Sequence, residues 1–436
     1  MESPINTLMV EGSIDDQVLE MAQYLETRRG SQGLVAQIKS QLEGEAYDLD
    51  NCLREIVNAS NSLSTTPEKG SILSLVIYRG NYLAKCEIEF IPAYNLLIHL
   101  VRSSTALPEL LPTILQNLST PPSTSPINGP SLSVHALSTI FNVLPASSPL
   151  RYPVFKATLQ VVTEHGMYDV LAPQLKNIER WVGEWGSSVA EIRDLYIALA
   201  GVAETAGDSD QFYSFLFRTL QGFTPEESTG EEARTIAVRL LKASVNLPSR
   251  LEFDDIISLD AIQQLSNTDP EAFALLEVFA GGDLEDYEEF NDEHDGWVDD
   301  NGIDHSVAFR KIRLLTLASL ASTASSRELP YSVIARRLHI PSEEVELWVI
   351  DVIRAGLVEG KLSQLNQTFL IHRSTYRSFG KSEWEEVGVR LDNWKASLRN
   401  ILEVVRGARE QVVTQGGDSA VQSAMNGGGN ALQVEG

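Results

Sequence analysis

Residues 329–371 read LPYSVIARRLHIPSEEVELWVIDVIRAGLVEGKLSQLNQTFLI, and this stretch decides the fold. Tyr331 to Leu338 is a short helix with Val333, Ile334 and Leu338 as its apolar residues. Pro341 then interrupts the backbone, and Ser342, Glu343 and Glu344 are placed to cap a second helix. That helix carries Val345, Trp348, Val349, Val352 and Ile353 at helical spacing, and Gly356 suits a left-handed stop. Leu357 to Leu362 then alternates apolar with polar residues, Asn366 supplies a turn, and Thr368 to Ile371 returns as a strand. Helix, turn, helix and two-stranded ribbon is the order of a winged helix.

A winged helix raises the question of DNA, and the charges on its second helix argue against it. Glu343, Glu344, Glu346 and Asp351 face Arg354 alone, whereas a helix entering the major groove meets phosphates on both sides and is expected to be basic. The whole chain of 436 residues has a formal charge of -26, which opposes general affinity for nucleic acid. The acid is unevenly spread: residues 306–412 hold 16 Lys+Arg against 12 Asp+Glu. This mildly basic part, through Arg310, Lys311, Arg313, Arg336 and Arg337, leaves a weak RNA contact as an alternative reading.

Upstream of the winged helix nearly everything reads as helices in pairs joined by short turns, among them Asp16 to Ile38 with Glu45 to Ala59, and Ile72 to Leu83 with Glu87 to Val101. Residues 119–130 contain four prolines and no periodicity, so they read as a loop or hinge. Helices resume from Ser131, including Met167 to Trp181 and Ser188 to Ala206. Paired helices in series, each too small to bury its own face, predict a right-handed α-helical solenoid. The expected organisation is therefore mostly α: helical repeats over 1–118, the loop at 119–130, further repeats over 131–282, an acidic insertion at 283–305 and a winged helix over 306–380. A C-terminal helix at 381–410 and a disordered, Gly- and Ser-rich tail at 411–436 complete it.

The insertion holds 11 carboxylates in residues 283–304, which makes a calcium loop the sharp hypothesis. Aligning Asn291, Glu293, Asp295 and Gly296 with such a loop puts Gly302 where a bidentate Glu is required, so the motif fails, and a solvated, self-repelling segment is expected. His294 and His305 have no cysteine pair or H-E-x-x-H spacing to make a transition-metal site. The chain lacks a phosphate-binding G-x-x-x-x-G-K-[ST] loop, a G-x-G-x-x-G turn, a G-x-S-x-G elbow and a C-x-x-C pair. No catalytic, cofactor or metal residues are expected. Cys52 and Cys86, the only cysteines, sit on apolar helical segments and suit a reducing compartment. The N-terminal residues show no signal-peptide pattern, and no stretch approaches the roughly 20 apolar residues of a membrane span. A soluble, cytoplasmic protein without membrane contact is expected.

Past the wing, Trp384, Val387, Leu391, Trp394, Leu398, Ile401 and Val405 are spaced 3, 4, 3, 4, 3 and 4. This heptad seam suits a helix that lies against partner helices.

An α-solenoid, a winged helix with an acidic second helix and a terminal heptad helix together resemble the PCI family found in the proteasome lid, the COP9 signalosome and translation initiation factor 3. The motifs RLLTL at 313–317, VIDVIR at 349–354, HRSTYRSFGK at 372–381 and LDNWK at 391–395 are similar to those of the subunit M family of eukaryotic translation initiation factor 3. The resemblance implies a non-catalytic scaffold whose partners are other initiation factor 3 subunits and, through the complex, the 40S ribosomal subunit, promoting mRNA and initiator tRNA recruitment. It also implies edge-to-edge joining of winged-helix sheets, for which Phe369 and Ile371 on the exposed wing strand are the candidates. C-terminal helices would gather in a bundle, for which the candidates are Trp384, Val387, Leu391, Trp394, Leu398, Ile401 and Val405. A COP9 signalosome subunit is the alternative within the same architecture.

Overall fold

The computed structural model describes residues 12–29, 32–43, 48–64, 75–122, 127–324, 326–377 and 381–426. They form helices throughout, apart from one small antiparallel sheet. The chain divides into two compact units: residues up to Arg250 with Ile256–Ala274 and Val298–Val307, and a second unit of Leu251–Asp255, Leu275–Trp297 and the chain from Ala308 onward.

The first unit is the solenoid of helices. Its repeating device is the tight hairpin, clearest where Val189–Ala206 turns into Ser209–Gln221. Ser188 and Glu191 form a reciprocal capping box at the start of the first helix. Gly207, at φ 76°, ends it in the left-handed conformation that residues with a Cβ avoid, and Asp208 caps the next helix. An aromatic cluster of Phe141, Phe155, Trp181 and Trp185, with ring centroids 5.0 to 6.4 Å apart, packs three further helices together. The Arg151 guanidinium covers it, 4.6 Å from the Phe141 ring.

Several boundaries differ from expectation. Leu75–Ser103 is one helix running through Pro92 rather than a helical pair. Phe90, Tyr94 and Leu97 beyond the break are fully buried, and packing of that face outweighs the local penalty of the proline. The expected Met167 to Trp181 helix is divided into Tyr168–Leu175 and Ile178–Trp185. In the proline-rich segment, Gly129 already opens the next helix. A Cβ on it would lie 3.0 Å from the Pro122 carbonyl, so the two ends of the loop touch.

In the second unit, a line of aromatic rings runs from Phe253 through Phe279 and Tyr287 to Phe309, at centroid distances of 5.6, 5.7 and 6.3 Å. Segment 283–305, expected as a solvated insertion, folds. Leu284–Glu293 is a helix with an Asp283–Asp286 capping box, and it buries Leu284, Tyr287 and Phe290. The carboxylates occupy its other side, so the charge is carried by an amphipathic helix.

The winged helix follows, with Tyr331–Arg337 and Val345–Arg354 as its two helices. Ser342 does not cap the second: residues 341–344 form a turn closed by Glu344 N–H donating to the Pro341 carbonyl at 3.0 Å, and Val345 begins the helix. Gly356, at φ 76°, stops it as expected. The sheet has three strands, β1 (Glu328–Pro330), β2 (Val358–Ser363) and β3 (Thr368–Ser374), in the order β1-β3-β2. In register, Leu329 faces Phe369 from β1 and Leu362 faces Phe369 from β2, with a bulge at Glu359/Gly360. Gly360 is required there: a Cβ would collide with the Leu370 carbonyl and come within 2.6 Å of the Phe369 ring.

Candidate functional site

The last helix, Lys381–Asn426, spans 46 residues, about 70 Å at 1.5 Å per residue. It continues well past the expected end at 410, through part of the segment expected as disordered tail; residues 427–436 of that tail lie outside the described residues. Trp384, Leu391, Trp394, Leu398, Ile401 and Val405 are 42 to 65% exposed, and Val387 is half-buried. A helix that folded back on its own winged helix would bury this stripe. This one presents an apolar seam of two tryptophans and four aliphatic side chains to solvent.

The sheet corrects the other half of the expectation. Phe369 and Ile371 lie on β3, the central strand, paired on both sides, and their side chains are in the core. Neither can be an edge contact. The sheet's edges among the described residues are β1 and β2. β1 has three residues and ends in Pro330, which donates no backbone N–H, so the six-residue β2 is the better template for an added strand.

Arg377 fastens the start of the C-terminal helix to the unit, a role not apparent from sequence. Its guanidinium donates to the carbonyls of Val278 (3.2 Å), Phe279 (2.7 Å) and Gly282, and to Ser319 Oγ at 3.2 Å. The first two carbonyls lie in the last turn of the Pro270–Ala280 helix, where orphan acceptors and the negative end of the helix dipole favour a cation. Burial pushes the Arg377 guanidinium down to about 10, with Asp283, Asp254 and Asp286 opposing the shift. Gly282 belongs to the same device: a Cβ there would lie 2.9 Å from Val278 Cα and from Asp286 Oδ2. The only hint was that Arg377 stands in the HRSTYRSFGK motif, and three of its four acceptors are backbone carbonyls more than 90 residues earlier.

The basic residues that suggested RNA are engaged within the fold. Arg310 pairs with Asp351 at 2.7 Å, and Arg337 bridges Asp283 and Glu285 at 3.2 and 3.1 Å. Lys311 is buried with its ammonium 5.5 Å from the Phe253 ring centroid. Arg313 lies over Phe309 at 4.3 Å and Trp348 at 5.3 Å, and burial pushes its guanidinium down. Arg336 is exposed and in no ion pair among the described residues, and a single such cation is no phosphate track. His294 stacks on Phe290 at 4.6 Å, and the described residues contain no group of three or more His, Cys, Asp or Glu able to hold a metal. Cys52 is buried, and burial is the main cause pushing its thiol up; the Cys86 side chain lies outside the described residues.

Two family descriptions match this part of the chain. The PCI domain covers residues 291–373, and the description "eIF3 subunit M, C-terminal helix" covers 377–405. The second match opens at Arg377 and takes in the whole exposed seam. Over nearly its full length the chain is also similar to eukaryotic translation initiation factor 3 subunit M of Phaeosphaeria nodorum, 46% identical with 95% of this chain and 92% of the relative covered. Similar relatives of the same name come from Chaetomium globosum (38% identical; 94% and 90% covered) and Aspergillus clavatus (38%; 98% and 91%).

The chain belongs to the subunit M family of eukaryotic translation initiation factor 3. It is accordingly an initiation factor 3 subunit with a PCI domain, and the signalosome alternative is set aside. Within the subunit M fold the PCI match takes in the second half of the acidic segment, the His305–Thr323 helix and the winged helix. It thus treats as domain what the sequence alone suggested was an insertion.

Proposed function

We propose that this chain is a non-catalytic scaffold of initiation factor 3. It would act in the cytoplasm, within a complex that binds the 40S ribosomal subunit and promotes recruitment of mRNA and initiator tRNA. The observation that carries this reading is the exposed seam from Trp384 to Val405 on a helix that extends far beyond what the winged helix needs. Large apolar side chains in such a stripe are bundle contacts in waiting, and truncating central ones costs about 1 to 4 kcal/mol each in comparable interfaces. β2 is proposed as a second attachment, by strand addition to a neighbouring sheet. No described helix is long and apolar enough to cross a membrane.

The test is affinity purification of the tagged full-length chain beside a Trp394→Ala, Leu398→Ala, Ile401→Ala variant. The wild type is expected to recover initiation factor 3 subunits and small-subunit ribosomal proteins. The variant should lose them while keeping wild-type circular dichroism, because all three side chains are largely exposed in the free chain. A wild-type chain that purifies as a stable monomer with no affinity for other PCI subunits would overturn the proposal. Retention of every partner by the variant would move assembly to β2.

A further inference from the structure

In a DNA-reading winged helix, the outer face of the second helix and the wing turn meet the groove together. Here that face has another chemistry. Val345, Val349 and Val352 turn inward and are fully buried. On the opposite side, Leu347 is 64% and Ile350 37% exposed, three residues apart and so neighbours on one helical face. The wing turn joins them: Gln364 Nε2 donates to Glu346 Oε2 at 2.9 Å, which holds the turn against the first turn of the helix. The neighbouring Leu365 stands 95% exposed. Around the helix start are Glu343, Glu344 and Glu346. The first two are exposed and in no ion pair among the described residues. At the far end Arg354 is exposed and within 4.0 Å of Asp351.

We propose that this face, formed by Leu347, Ile350 and Leu365, docks a basic amphipathic segment of a partner protein. Its aliphatic anchors would fill the apolar strip, and its Lys or Arg residues would meet Glu343 and Glu344. Charge complementarity fixes both the class of occupant and its direction. Three carboxylates at one end repel phosphate and attract cations, and Arg354 at the other end places the occupant's non-basic end there. Isolated exposed aliphatics are ordinary on protein surfaces, but here a hydrogen bond ties the wing turn carrying Leu365 to the helix carrying Leu347 and Ile350, beside two exposed carboxylates that are in no ion pair among the described residues. The site uses no residue of the C-terminal seam or of β2 itself, although Gln364 directly follows the end of β2, so its own residues can be tested independently of those attachments.

The experiment places p-benzoylphenylalanine at position 347 of the full-length tagged chain expressed in cells. After irradiation, the adduct is recovered and the cross-linked peptide is identified by mass spectrometry. The same is done in a Glu343→Lys, Glu344→Lys background. Expected is one dominant adduct to a peptide rich in Lys or Arg with aliphatic residues three or four apart, with a yield at least about tenfold lower in the charge-reversed background, since like-charge juxtaposition at such a contact costs over 1 kcal/mol. The side chain replaced is exposed, so the fold is retained, as circular dichroism will verify. No adduct, an adduct to RNA or to an acidic peptide, or a yield unchanged by charge reversal would overturn the proposal.

Discussion

Replacing Arg377 with methionine tests how the C-terminal helix is anchored. The guanidinium makes four hydrogen bonds, three of them to backbone carbonyls. At about 1.5 kcal/mol for each charge-assisted bond, the gross contribution is roughly 6 kcal/mol. Burial offsets part of it: a guanidinium pushed down to about 10 reports a penalty of about 3 kcal/mol on the charged form. The net anchor is then about 3 kcal/mol, and methionine, which fills similar volume without a donor, forfeits it. Lysine keeps the charge but cannot fork between carbonyls on both sides of the turn, and is expected to lose about half. Native-state hydrogen exchange read by mass spectrometry reports local opening rather than global unfolding. Amides of Leu275–Ala280 and Leu284–Glu293 should exchange on the order of a hundredfold faster in Arg377→Met and about tenfold faster in Arg377→Lys. The Val189–Ala206 helix in the first unit serves as the internal reference. Exchange in Arg377→Met within about threefold of wild type would refute the reasoning, because the carbonyls would then have other donors or the guanidinium would be a surface group.

Three further outcomes are expected. Gly360→Ala forces a methyl group against the Leu370 carbonyl and the Phe369 ring and should cost about 2 to 3 kcal/mol; thermal denaturation checks it, and a melting temperature within a degree of wild type would mean that the bulge has another geometry. Arg337→Glu breaks bridges to Asp283 and Glu285 and sets like charges together, lowering stability by about 1 to 2 kcal/mol. Arg336→Glu should stay within about 0.5 kcal/mol, neither variant should change retention on RNA, and a loss of RNA retention in both would restore the nucleic-acid reading. Asp269 is held below its ordinary 3.8 by two hydrogen bonds from Arg234, at 2.6 and 2.9 Å. A carboxyl with a lowered folded pKa adds stability above its unfolded value that disappears as pH falls through the folded one. Asp269→Asn should therefore lower the urea midpoint at pH 6 and match wild type well below pH 3.8; an equal loss at both would refute the linkage.

What could be read from the sequence follows a physical division. The winged helix was legible because its signals are local: Pro341 and Gly356 as breaks, the Val345, Val349, Val352 face, and the alternation before Asn366. The heptad seam was legible because periodicity is a property of one segment. β1 was not, since Glu328–Leu329–Pro330 is three residues with a proline and has no room to alternate. That omission misplaced β3, because whether a strand is central or at an edge depends on what pairs with its other side, and nothing in Thr368 to Ile371 records it. The acidic helix was hidden by its charge: Leu284, Tyr287 and Phe290 recur every third residue, but the carboxylates between them read as solvation. Apart from its place in the HRSTYRSFGK motif, Arg377 left no signal because three of its four acceptors are backbone carbonyls, which every residue carries.

The C-terminal helix has a consequence for the free chain as well. Nine large apolar side chains between Trp384 and Val405 stand exposed on it, so a copy made in excess of its neighbours displays the kind of surface that chaperones retain and proteases clear. Binding that buries the stripe stabilises the chain by mass action. On the proposed bundling, the amount of this subunit in a cell would be tied to the supply of the helices it meets, and a seam that serves architecture in the finished assembly would serve as a count of unfinished ones.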